Sequence, residues 1–413
     1  MALLGLLLAL ASLSMLLAGA VILGQAWFLA LVALLHRAPR ASEHPPTDHT
    51  FAVVIPAHNE AAGLPAILRT CNRLDYPRDR FAVYVVADNC ADDTAAIARA
   101  GGAVCFERRE PDRLGKGYAL EHAIHRIDWN RHDVLLVLDA DCLIDPPALR
   151  ELNRELHAGA RALQVNNTVS NPDTSALSLL LAVGNLLEND FFYAPRSVLG
   201  WPVLLRGTGM ALHRDLLRRF PWKSFSLTED LEYSVILVRA GVSVRFVPRV
   251  AVRSPLPIAT AALDVQRSRW ARGNLRLARR EAWRLILEGL STRRWRLIDL
   301  GALLLASSRP LLAVLLLLGT ALALAGTLIA AAPILPALPM IGALLLLLFA
   351  GYIFLGLLRL GITRRRLALC CQAPGAILRL TAITLAALLG RDRRGWERTP
   401  RTGTQKARRR IAR

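Results

Sequence analysis

The sequence predicts an α/β domain held between membrane-spanning helices, and three observations lead to this prediction. Hydrophobic residues make up 54% of the 413 residues. Residues 2–35 and 310–358 contain no Asp, Glu, Lys or Arg, and an uncharged apolar run of about 18 or more residues is typical of a membrane span. Between these runs, residues 48–290 alternate apolar strands with helical stretches, a pattern that indicates a parallel sheet covered by helices.

The two apolar runs predict three crossings of the membrane. We interpret residues 1–37 as one N-terminal anchor, with two N-terminal crossings as the open alternative. Three prolines at 333–339 interrupt the second run, so residues 310–360 predict two transmembrane helices. Arginines 364–366 follow and mark a cytoplasmic end, as do Arg37 and Arg40 after the anchor. Residues 48–290 are therefore expected in the cytoplasm, on a multi-pass protein of the cell inner membrane.

Two shorter apolar segments, residues 291–309 and 367–390, predict helices that lie on the membrane surface. Arg379 falls inside the second segment, and a central Arg costs about 2.5–3.5 kcal/mol to insert into a bilayer. Residues 391–413 form a basic cytosolic tail. Contact of this tail with anionic lipid headgroups and a plain solvated tail are equal alternatives.

The charge and the cysteines narrow the class of protein. The chain carries 52 basic and 32 acidic residues, a net charge of +20. Nucleic-acid binding is one interpretation of this excess, but the apolar runs favour a membrane protein with an Arg-rich inner face, so we expect no nucleic-acid partner. None of the six cysteines forms a C-x-x-C pair, so reduced thiols are the expected state.

The central domain divides into short elements in chain order. Apolar strands are predicted at residues 51–56, 81–88, 104–106 and 133–139, and helices at residues 61–72, 92–101, 117–127 and 229–240. In parallel α/β sheets, ligands bind beyond the carboxyl ends of the strands. Polar residues at these ends are therefore where chemistry is expected.

Three carboxylates stand at such strand ends. Asp88 ends the second strand, and Asp139 and Asp141 follow the fourth. Two carboxylates at positions i and i+2 of a turn can reach one hard cation, and their oxygens suit Mg²⁺ or Mn²⁺ beside substrate phosphates. The alternative is a pair of turn or helix-capping aspartates.

Two further polar segments each allow a functional and a structural interpretation. Lys116 lies between two glycines before a helix, where it can bind an anion or simply start the helix. A carboxylate of the segment at 228–230 can act as a general base, whereas Ser226 and Glu229 fit a capping box that would make the segment structural.

The remaining candidates are a glycine-containing turn and an Arg-rich helical stretch. The turn at residues 206–209 permits close approach of a ligand to its backbone. An arginine of the stretch at 266–270 can hold a phosphate, and its tryptophan can stack on a sugar or base. The alternative for this stretch is an interfacial aromatic with snorkelling arginines.

The joint order of these segments is more specific than any one of them. The segments are VIPAHNE at 54–60, VADNC at 86–90, GKG at 115–117, DAD at 139–141, TED at 228–230 and QRSRW at 266–270. This series closely resembles membrane-embedded family 2 glycosyltransferases of the cellulose, hyaluronan and poly-N-acetylglucosamine synthase types. The resemblance covers about residues 50–275 and includes the DxD and QxxRW motifs. It implies a GT-A (Rossmann-like) cytosolic domain flanked by transmembrane helices.

The resemblance also implies a nucleotide-sugar donor, with a UDP-sugar expected, and Mg²⁺ or Mn²⁺ as cofactor. It assigns Asp230 as the general base and Asp141, with Asp139, to the metal. By the same resemblance, the residues that bind the nucleotide sugar are Pro56, Ala57, Glu60, Asp88, Lys116, Asp139 and Arg269. Those that it places at the acceptor are Gly207, Thr208, Gly209, Glu229, Gln266 and Trp270.

Three functions remain as hypotheses. The leading hypothesis is an inverting transferase that extends a polysaccharide at the cytoplasmic face. Because three crossings are few for a secretion channel, this activity would call for a homo-oligomer or an accessory subunit. The alternative is transfer of a single sugar to a membrane lipid acceptor, either a glycolipid or a polyprenyl-linked lipid. A remote third is a non-catalytic membrane protein that binds nucleotide or nucleic acid.

Overall fold

The computed structural model describes residues 2–36, 46–257, 260–306, 309–330 and 337–388. The chain divides into two compact units. The sheet unit contains Ala38–Asn171 and Arg196–Leu304, and the helical unit contains Met1–Arg37, Pro172–Pro195 and Leu305–Arg391. Arg37, Arg40 and the predicted tail at 391–413 lie outside the described residues.

The sheet unit is built on one sheet of eight strands. Its strands are β1 (Phe51–Ala57), β2 (Phe81–Asp88), β3 (Val104–Arg108), β4 (Val134–Val137), β5 (Leu143–Ile144), β6 (Ala162–Val169), β7 (Met210–His213) and β8 (Val244–Ser254). Their order across the sheet is β3-β2-β1-β4-β7-β6-β8-β5. The predicted α/β class is confirmed, and β1 to β4 follow the predicted order of strands along the chain.

The sheet is mixed and not wholly parallel as predicted. β1 to β4 pair in parallel, but β7 runs antiparallel to β4 and β6, and β5 runs antiparallel to β8. The connection between β6 and β7 explains the reversal. The chain leaves β6 at the edge where β4 ends and returns at that edge, where the Gly209 amide donates to the Val137 carbonyl at 2.8 Å. A strand that begins where its neighbour ends must run against it.

The helices are numbered α1 to α15 along the chain. They are α1 (Ala2–Leu35), α2 (Leu64–Cys71), α3 (Thr94–Ala100), α4 (Lys116–Arg126), α5 (Ala148–His157), α6 (Ala176–Glu188), α7 (Ala194–Val198), α8 (Arg214–Arg219), α9 (Glu229–Arg239), α10 (Thr260–Ser291), α11 (Trp295–Ala306), α12 (Arg309–Ala330), α13 (Ala337–Leu360), α14 (Arg364–Cys370) and α15 (Ala373–Leu388). A π-helical turn at Asn189–Tyr193 joins α6 to α7.

The core of the sheet unit explains why its central strands read as continuous apolar runs. The first five residues of β1 and all four of β4 are buried, because helices cover both faces of a sheet of this kind. Leu64 and Ile67 of α2 and Leu149 and Leu152 of α5 complete this core. The rigid strands hold the polar residues beyond their ends in fixed positions.

The helical unit contains apolar helices of membrane length. Leu3–Leu35, Arg309–Ile329 and Ala337–Leu360 are each long and apolar enough to cross a membrane. The pair Arg364–Cys370 and Ala373–Ala386, bent by 55°, would be a fourth span if the two helices cross as one. These helices indicate that the protein associates with a membrane. The surface helices expected at 291–309 and 367–390 remain predictions, since length and composition alone do not separate them from short spans.

Close packing holds the helical unit together. The Ser12 hydroxyl in α1 donates to the Gly319 carbonyl in α12 at 2.8 Å, and Gly356 in α13 lets Val183 and Leu187 of α6 approach its backbone. Arg366 donates to both carboxylate oxygens of Asp173, at 2.7 and 3.1 Å. Small residues and satisfied polar groups of this kind stabilise helix contacts in apolar surroundings.

Candidate active site

Lys116 lies at the centre of a polar cluster where β4 ends. Its ammonium group makes an ion pair with Asp139 and donates a hydrogen bond to the Gly207 carbonyl at 3.0 Å. The Asp139 amide donates to the Thr208 hydroxyl at 3.1 Å. These hydrogen bonds therefore hold the turn before β7 against the end of β4 and the start of α4.

Glu229 and Asp230 add two more carboxylates to this cluster. Glu229 Oε1 lies 4.0 Å from Lys116 Nζ. A Cβ atom placed on Gly207 would lie 3.3 Å from Asp230 Oδ2 and 3.4 Å from Lys116 Nζ. Gly207 also has a φ of +73°, which glycine adopts without steric cost. Glycine at this position therefore lets the backbone approach Asp230 closely.

The start of α9 differs from the predicted capping box. Thr228 is the residue that precedes the helix, and its side chain makes no capping bond. The Ser226 amide donates to Glu232 at 3.2 Å, so Glu232 takes the role that was predicted for Glu229. The capping-box alternative with Glu229 is therefore not the arrangement observed, because two acidic residues in one helical turn can serve a cap and the sequence does not say which one does. Glu229 is left facing Lys116.

Burial and neighbouring charges shift the pKa values of three residues in this cluster, which are Lys116, Glu229 and Asp230. Burial and the neighbouring Asp230 raise the pKa of Glu229, and burial also raises that of Asp230. Burial alone would lower the pKa of Lys116, but the charges of Asp139 and Glu229 outweigh it and raise the pKa. Lys116 therefore stays protonated at neutral pH, and its charge opposes the rise at both acids.

Asp139 and Asp141 offer the donors that a hard cation needs. A carboxylate oxygen from each and the Cys142 sulfur lie within 4.8 Å of one another. Burial raises the pKa of Cys142 to about 12, so the thiol stays protonated and instead contacts the Thr208 and Ser254 hydroxyls at 3.4 and 3.1 Å. Two carboxylates without the thiol form an oxygen donor set, which fits Mg²⁺ or Mn²⁺ together with phosphate oxygens and water.

Asp88 lies at a second polar position, beyond the end of β2. Arg108 donates to Asp88 Oδ1 at 2.6 Å and to Glu110 at 3.0 Å. Burial raises the pKa of Asp88, while the Arg108 hydrogen bond opposes the rise. Asn89 donates to the same Asp88 oxygen at 2.9 Å and has a φ of +48°. Both side chains fix the orientation of the Asp88 carboxylate.

Sequence reasoning missed Arg108, because it ended the third strand at Phe106. The strand continues to Arg108, which pairs with Asp88 across β2 and β3. The sequence carries no alternation that would extend the strand, because Cys105 and Phe106 are followed by two charged residues. A charged residue at a strand end usually indicates an exposed side chain. Arg108 is buried, and its carboxylate partner on the neighbouring strand accounts for the burial.

The site residues predicted at 56–60 lie at and just after the end of β1. In the sheet, β1 stands between β2, which ends at Asp88, and β4, which is followed by Asp139. Pro56 and Ala57 are the last residues of β1. The Glu60 amide donates to the Thr94 hydroxyl at 2.9 Å. A Cβ atom on Gly63 would lie 3.5 Å from Glu60 Oε2 and 3.9 Å from the Asp141 Cα. Glu60 and Asp141 therefore approach the same point beside Gly63.

The predicted Arg-rich stretch forms part of the long helix α10. A Cβ atom on Gly273 would lie only 2.5 Å from the Thr228 side chain, so this helix packs directly against the residue before Glu229. Gln266 Oε1 is buried and lacks a hydrogen-bond partner in the described part of the chain. Trp270 is 38% exposed, with the Arg267 guanidinium 5.5 Å from its ring centre. The roles of Arg269 and Trp270 stay predictions.

The structure thus brings together Lys116, Asp139, Gly207, Thr208, Glu229 and Asp230 in one cluster. Asp141 adjoins it, and Gly209 carries the turn into β7. A mixed sheet with these carboxylates beyond its central strands defines an α/β domain of the GT-A type, in a chain with membrane-length helices.

The family follows from comparison with known sequences. Residues 46–273 match the family described as "Glycosyltransferase like family 2", and the chain belongs to this family. A probable glycosyltransferase of Bacillus subtilis, YdaM, is 27% identical over 230 residues, which are 54% of this chain and 54% of that protein. A beta-monoglucosyldiacylglycerol synthase of Trichormus variabilis is 26% identical over 252 residues, 57% of this chain and 51% of that protein. The chain spans about half the length of the curated relatives it matches.

A solved structure shares the fold over most of the chain. It is the mannosyltransferase PcManGT from Pyrobaculum calidifontis, in complex with GDP-Man and Mn²⁺. The similarity covers 92% of this chain and 99% of that chain, with a TM-score of 0.57 at 18% sequence identity. The likeness supports the GT-A-type domain and the flanking apolar helices.

The close approach of Gly207 predicts a selective defect on substitution. Gly207→Ala places a Cβ against Asp230 and Lys116 and strains the backbone by roughly 1–3 kcal/mol. Gly241→Ala is the matched control, because Gly241 has a similar φ of +79° with open space around its Cβ position. We expect similar losses of unfolding free energy in chemical denaturation. Only Gly207→Ala should lose sugar transfer, by about 100-fold, and equal activity in both variants would contradict this geometry.

The buried pair of Arg108 and Asp88 predicts a large loss of stability. Arg108→Met leaves Asp88 buried without its partner, which costs about 3–5 kcal/mol of unfolding free energy. The loss should be smaller at acid pH, where Asp88 takes up a proton. Arg109→Met is the control, since the Arg109 side chain is 85% exposed against 2% for Arg108, and it should change stability by less than about 0.5 kcal/mol. Comparable losses in urea titrations of the two variants would refute the assignment.

Proposed function

We propose that this chain transfers one hexosyl group from a nucleotide sugar to a lipid acceptor at the membrane surface. The observation that carries the proposal is the cluster at the end of β4, where Lys116 joins Asp139 to the Gly207 turn and to the acids of α9. The cluster combines a candidate cation site with a candidate base at one sheet edge. A cation can stabilise a diphosphate leaving group, and a base can deprotonate the acceptor hydroxyl.

The donor would bind across the ends of β1, β2 and β4. Asp88, held by Arg108, would contact the base, beside Pro56, Ala57 and Glu60. Asp139 and Asp141 would hold Mg²⁺ or Mn²⁺, whose charge stabilises the departing nucleoside diphosphate. Support for this cofactor comes from the two-carboxylate donor set and from the Mn²⁺ and GDP-Man named for the mannosyltransferase of similar fold.

Asp230 would act as the general base for the acceptor hydroxyl. Burial raises its pKa, which makes the carboxylate a stronger base once it is ionised. The positive charge of Lys116 would limit the rise in the pKa of Asp230, so that this acid can still ionise. Glu229 would interact with the same ammonium group. The Gly207 turn leaves room beside Asp230 for a hydroxyl. Direct displacement by this hydroxyl inverts the anomeric centre, so a β-linked product is expected from an α-linked donor.

The helix α10 would close the other side of the site. Gly273 packs against Thr228, so Gln266, Arg269 and Trp270 lie within two turns of a contact with the start of α9. Arg269 would contact the diphosphate by charge. Gln266 and Trp270 would border the acceptor, and the unpaired Oε1 of Gln266 is a hydrogen-bond acceptor available to a hydroxyl.

A lipid acceptor is better supported than a growing polysaccharide. A relative over more than half of this chain is a monoglucosyldiacylglycerol synthase, and helices of membrane length would hold the chain at a bilayer, which is where lipid acceptors are found. Polysaccharide synthesis of the cellulose or hyaluronan type remains the second candidate, because of the QxxRW sequence at 266–270. In both cases we propose that the sheet unit faces the cytoplasm, where nucleotide sugars are made.

Product analysis tests the proposal and separates the two acceptors. Membranes that contain the protein are supplied with radiolabelled UDP- and GDP-sugars and Mn²⁺, and lipids are then extracted into organic solvent. We expect label from one donor in the lipid fraction, with a loss of at least about 100-fold in Asp230→Asn and Asp141→Asn. Asp79→Asn is the control, since the Asp79 side chain is 81% exposed, and it should retain full activity.

Label that accumulates in a polymer of high molecular weight would favour the polysaccharide hypothesis instead. Incorporation that survives in Asp230→Asn and Asp141→Asn would remove the proposed base and cation site. An α-linked product in NMR spectra would contradict direct inverting displacement.

The raised pKa of Asp230 predicts the acid limb of the pH profile. The carboxylate accepts a proton only when ionised, so kcat/KM should rise with pH through the pKa of Asp230. Because burial raises this pKa, the limb should lie above the ordinary Asp value of about 3.9. Profiles at two saturating Mn²⁺ concentrations should coincide, which separates Asp230 from loss of metal. A limb at or below pH 4 would contradict the burial of this acid.

A further inference from the structure

A second group of metal-binding side chains lies at the opposite edge of the sheet. Asp48 and His49 lie just before β1, separated from it by Thr50, and His157 is the last residue of α5. Because Asp139 follows the carboxyl end of β4, which is parallel to β1, the two groups are separated by the length of the strands. One ligand atom from each of Asp48, His49 and His157 lies within 4.8 Å of the other two.

The distances in this group are close to those of a coordinated ion. His157 Nε2 lies 2.7 Å from Asp48 Oδ1, and His49 Nδ1 lies 3.4 Å from the same oxygen. The Pro46 carbonyl oxygen lies 3.2 Å from His157 Nε2. Tetrahedral Zn²⁺ with bonds of about 2.0–2.1 Å holds neighbouring ligand atoms about 3.3 Å apart. Small side-chain rotations would therefore suffice to admit an ion.

Buried polar groups hold the backbone of this segment in place. Asn153 is buried, donates to the Pro46 carbonyl at 2.9 Å and accepts from the Tyr76 hydroxyl at 3.1 Å. The Tyr76 hydroxyl also contacts the His49 carbonyl at 2.8 Å. His49 Nδ1 lies 3.0 Å from the Asn153 side-chain oxygen, and this hydrogen bond is the one that metal binding would replace. Supporting groups that fix first ligands raise metal affinity.

We propose that Asp48, His49 and His157 form a binding site for a transition-metal ion of the Zn²⁺ class, with the Pro46 carbonyl or water as the fourth ligand. Two imidazoles and one carboxylate favour Zn²⁺, Co²⁺ or Ni²⁺ over Mg²⁺ and Mn²⁺. This site therefore differs in chemistry as well as in position from Asp139 and Asp141. A bound ion would tie the segment that enters β1 to the end of α5 and would stabilise the folded state.

Cobalt titration of the purified full-length chain tests the site. The chain, in detergent, without a histidine tag and stripped with EDTA, is titrated with CoCl₂ and followed by visible absorption, and then with ZnCl₂ by calorimetry. We expect His157→Gln and Asp48→Asn to weaken Co²⁺ binding by more than the roughly 10-fold to 100-fold that loss of a supporting partner costs. His125→Gln is the matched control, because His125 is exposed elsewhere on the sheet unit, and it should bind as the unaltered chain does.

Asp141→Asn separates this site from the candidate active site. Co²⁺ binding that persists in Asp141→Asn and is lost in His157→Gln supports the proposal. Binding that is lost only in Asp141→Asn, or that is unchanged in both His157→Gln and Asp48→Asn, would overturn it. Failure of the unaltered chain to bind Co²⁺ or Zn²⁺ at about 100 times the concentration of the protein would also overturn it. None of these outcomes depends on sugar transfer.

Discussion

The candidate active site depends on the contacts that the Lys116 ammonium group makes with the surrounding acids. Asp139, Glu229 and Asp230 all lie near Lys116 beyond the end of β4, and three carboxylates in one cluster would repel each other. Lys116 contacts Asp139 and lies 4.0 Å from Glu229. The half-buried Lys116 ammonium thus lets these acids share the site in the absence of a divalent ion and a substrate.

The reversed direction of β7 places the turn at Gly207 beside this cluster. Because the chain re-enters the sheet where β4 ends, the Gly207 turn stands directly against Lys116 and Asp230. A wholly parallel sheet would have put the start of this strand at the opposite edge. The mixed sheet is therefore what joins the proposed donor and acceptor sides of the site.

Local sequence patterns predicted the positions of strands and helices well, but they did not predict which side chains would contact one another. The run at 81–88 was identified to the residue, because a proline and a polar turn bound it. The fourth strand was predicted at 133–139 but spans only Val134–Val137. The Asp133 side chain bonds to Thr50 before the strand begins, and Asp139 makes an ion pair with Lys116 after the strand ends. Lys116 itself was a candidate, yet its partners lie 23 and 91 positions away. Arg108 was missed because its burial depends on Asp88 of another strand, which only the folded sheet reveals.

The detour of the chain between β6 and β7 has a consequence for biosynthesis. Residues Pro172–Pro195 leave the sheet unit to join the helical unit, where Val183 and Leu187 pack on Gly356. That glycine is synthesised about 170 residues later, which takes on the order of 10–30 s at ribosomal rates of about 5–20 residues per second. During this interval the apolar face of α6 has no partner from α13. Until α13 is made, α6 has only earlier parts of the chain, such as the α1 residues of the same apolar cluster, and the lipid bilayer to pack against. A fragment that ends after the sheet unit would lack the Gly356 contact altogether.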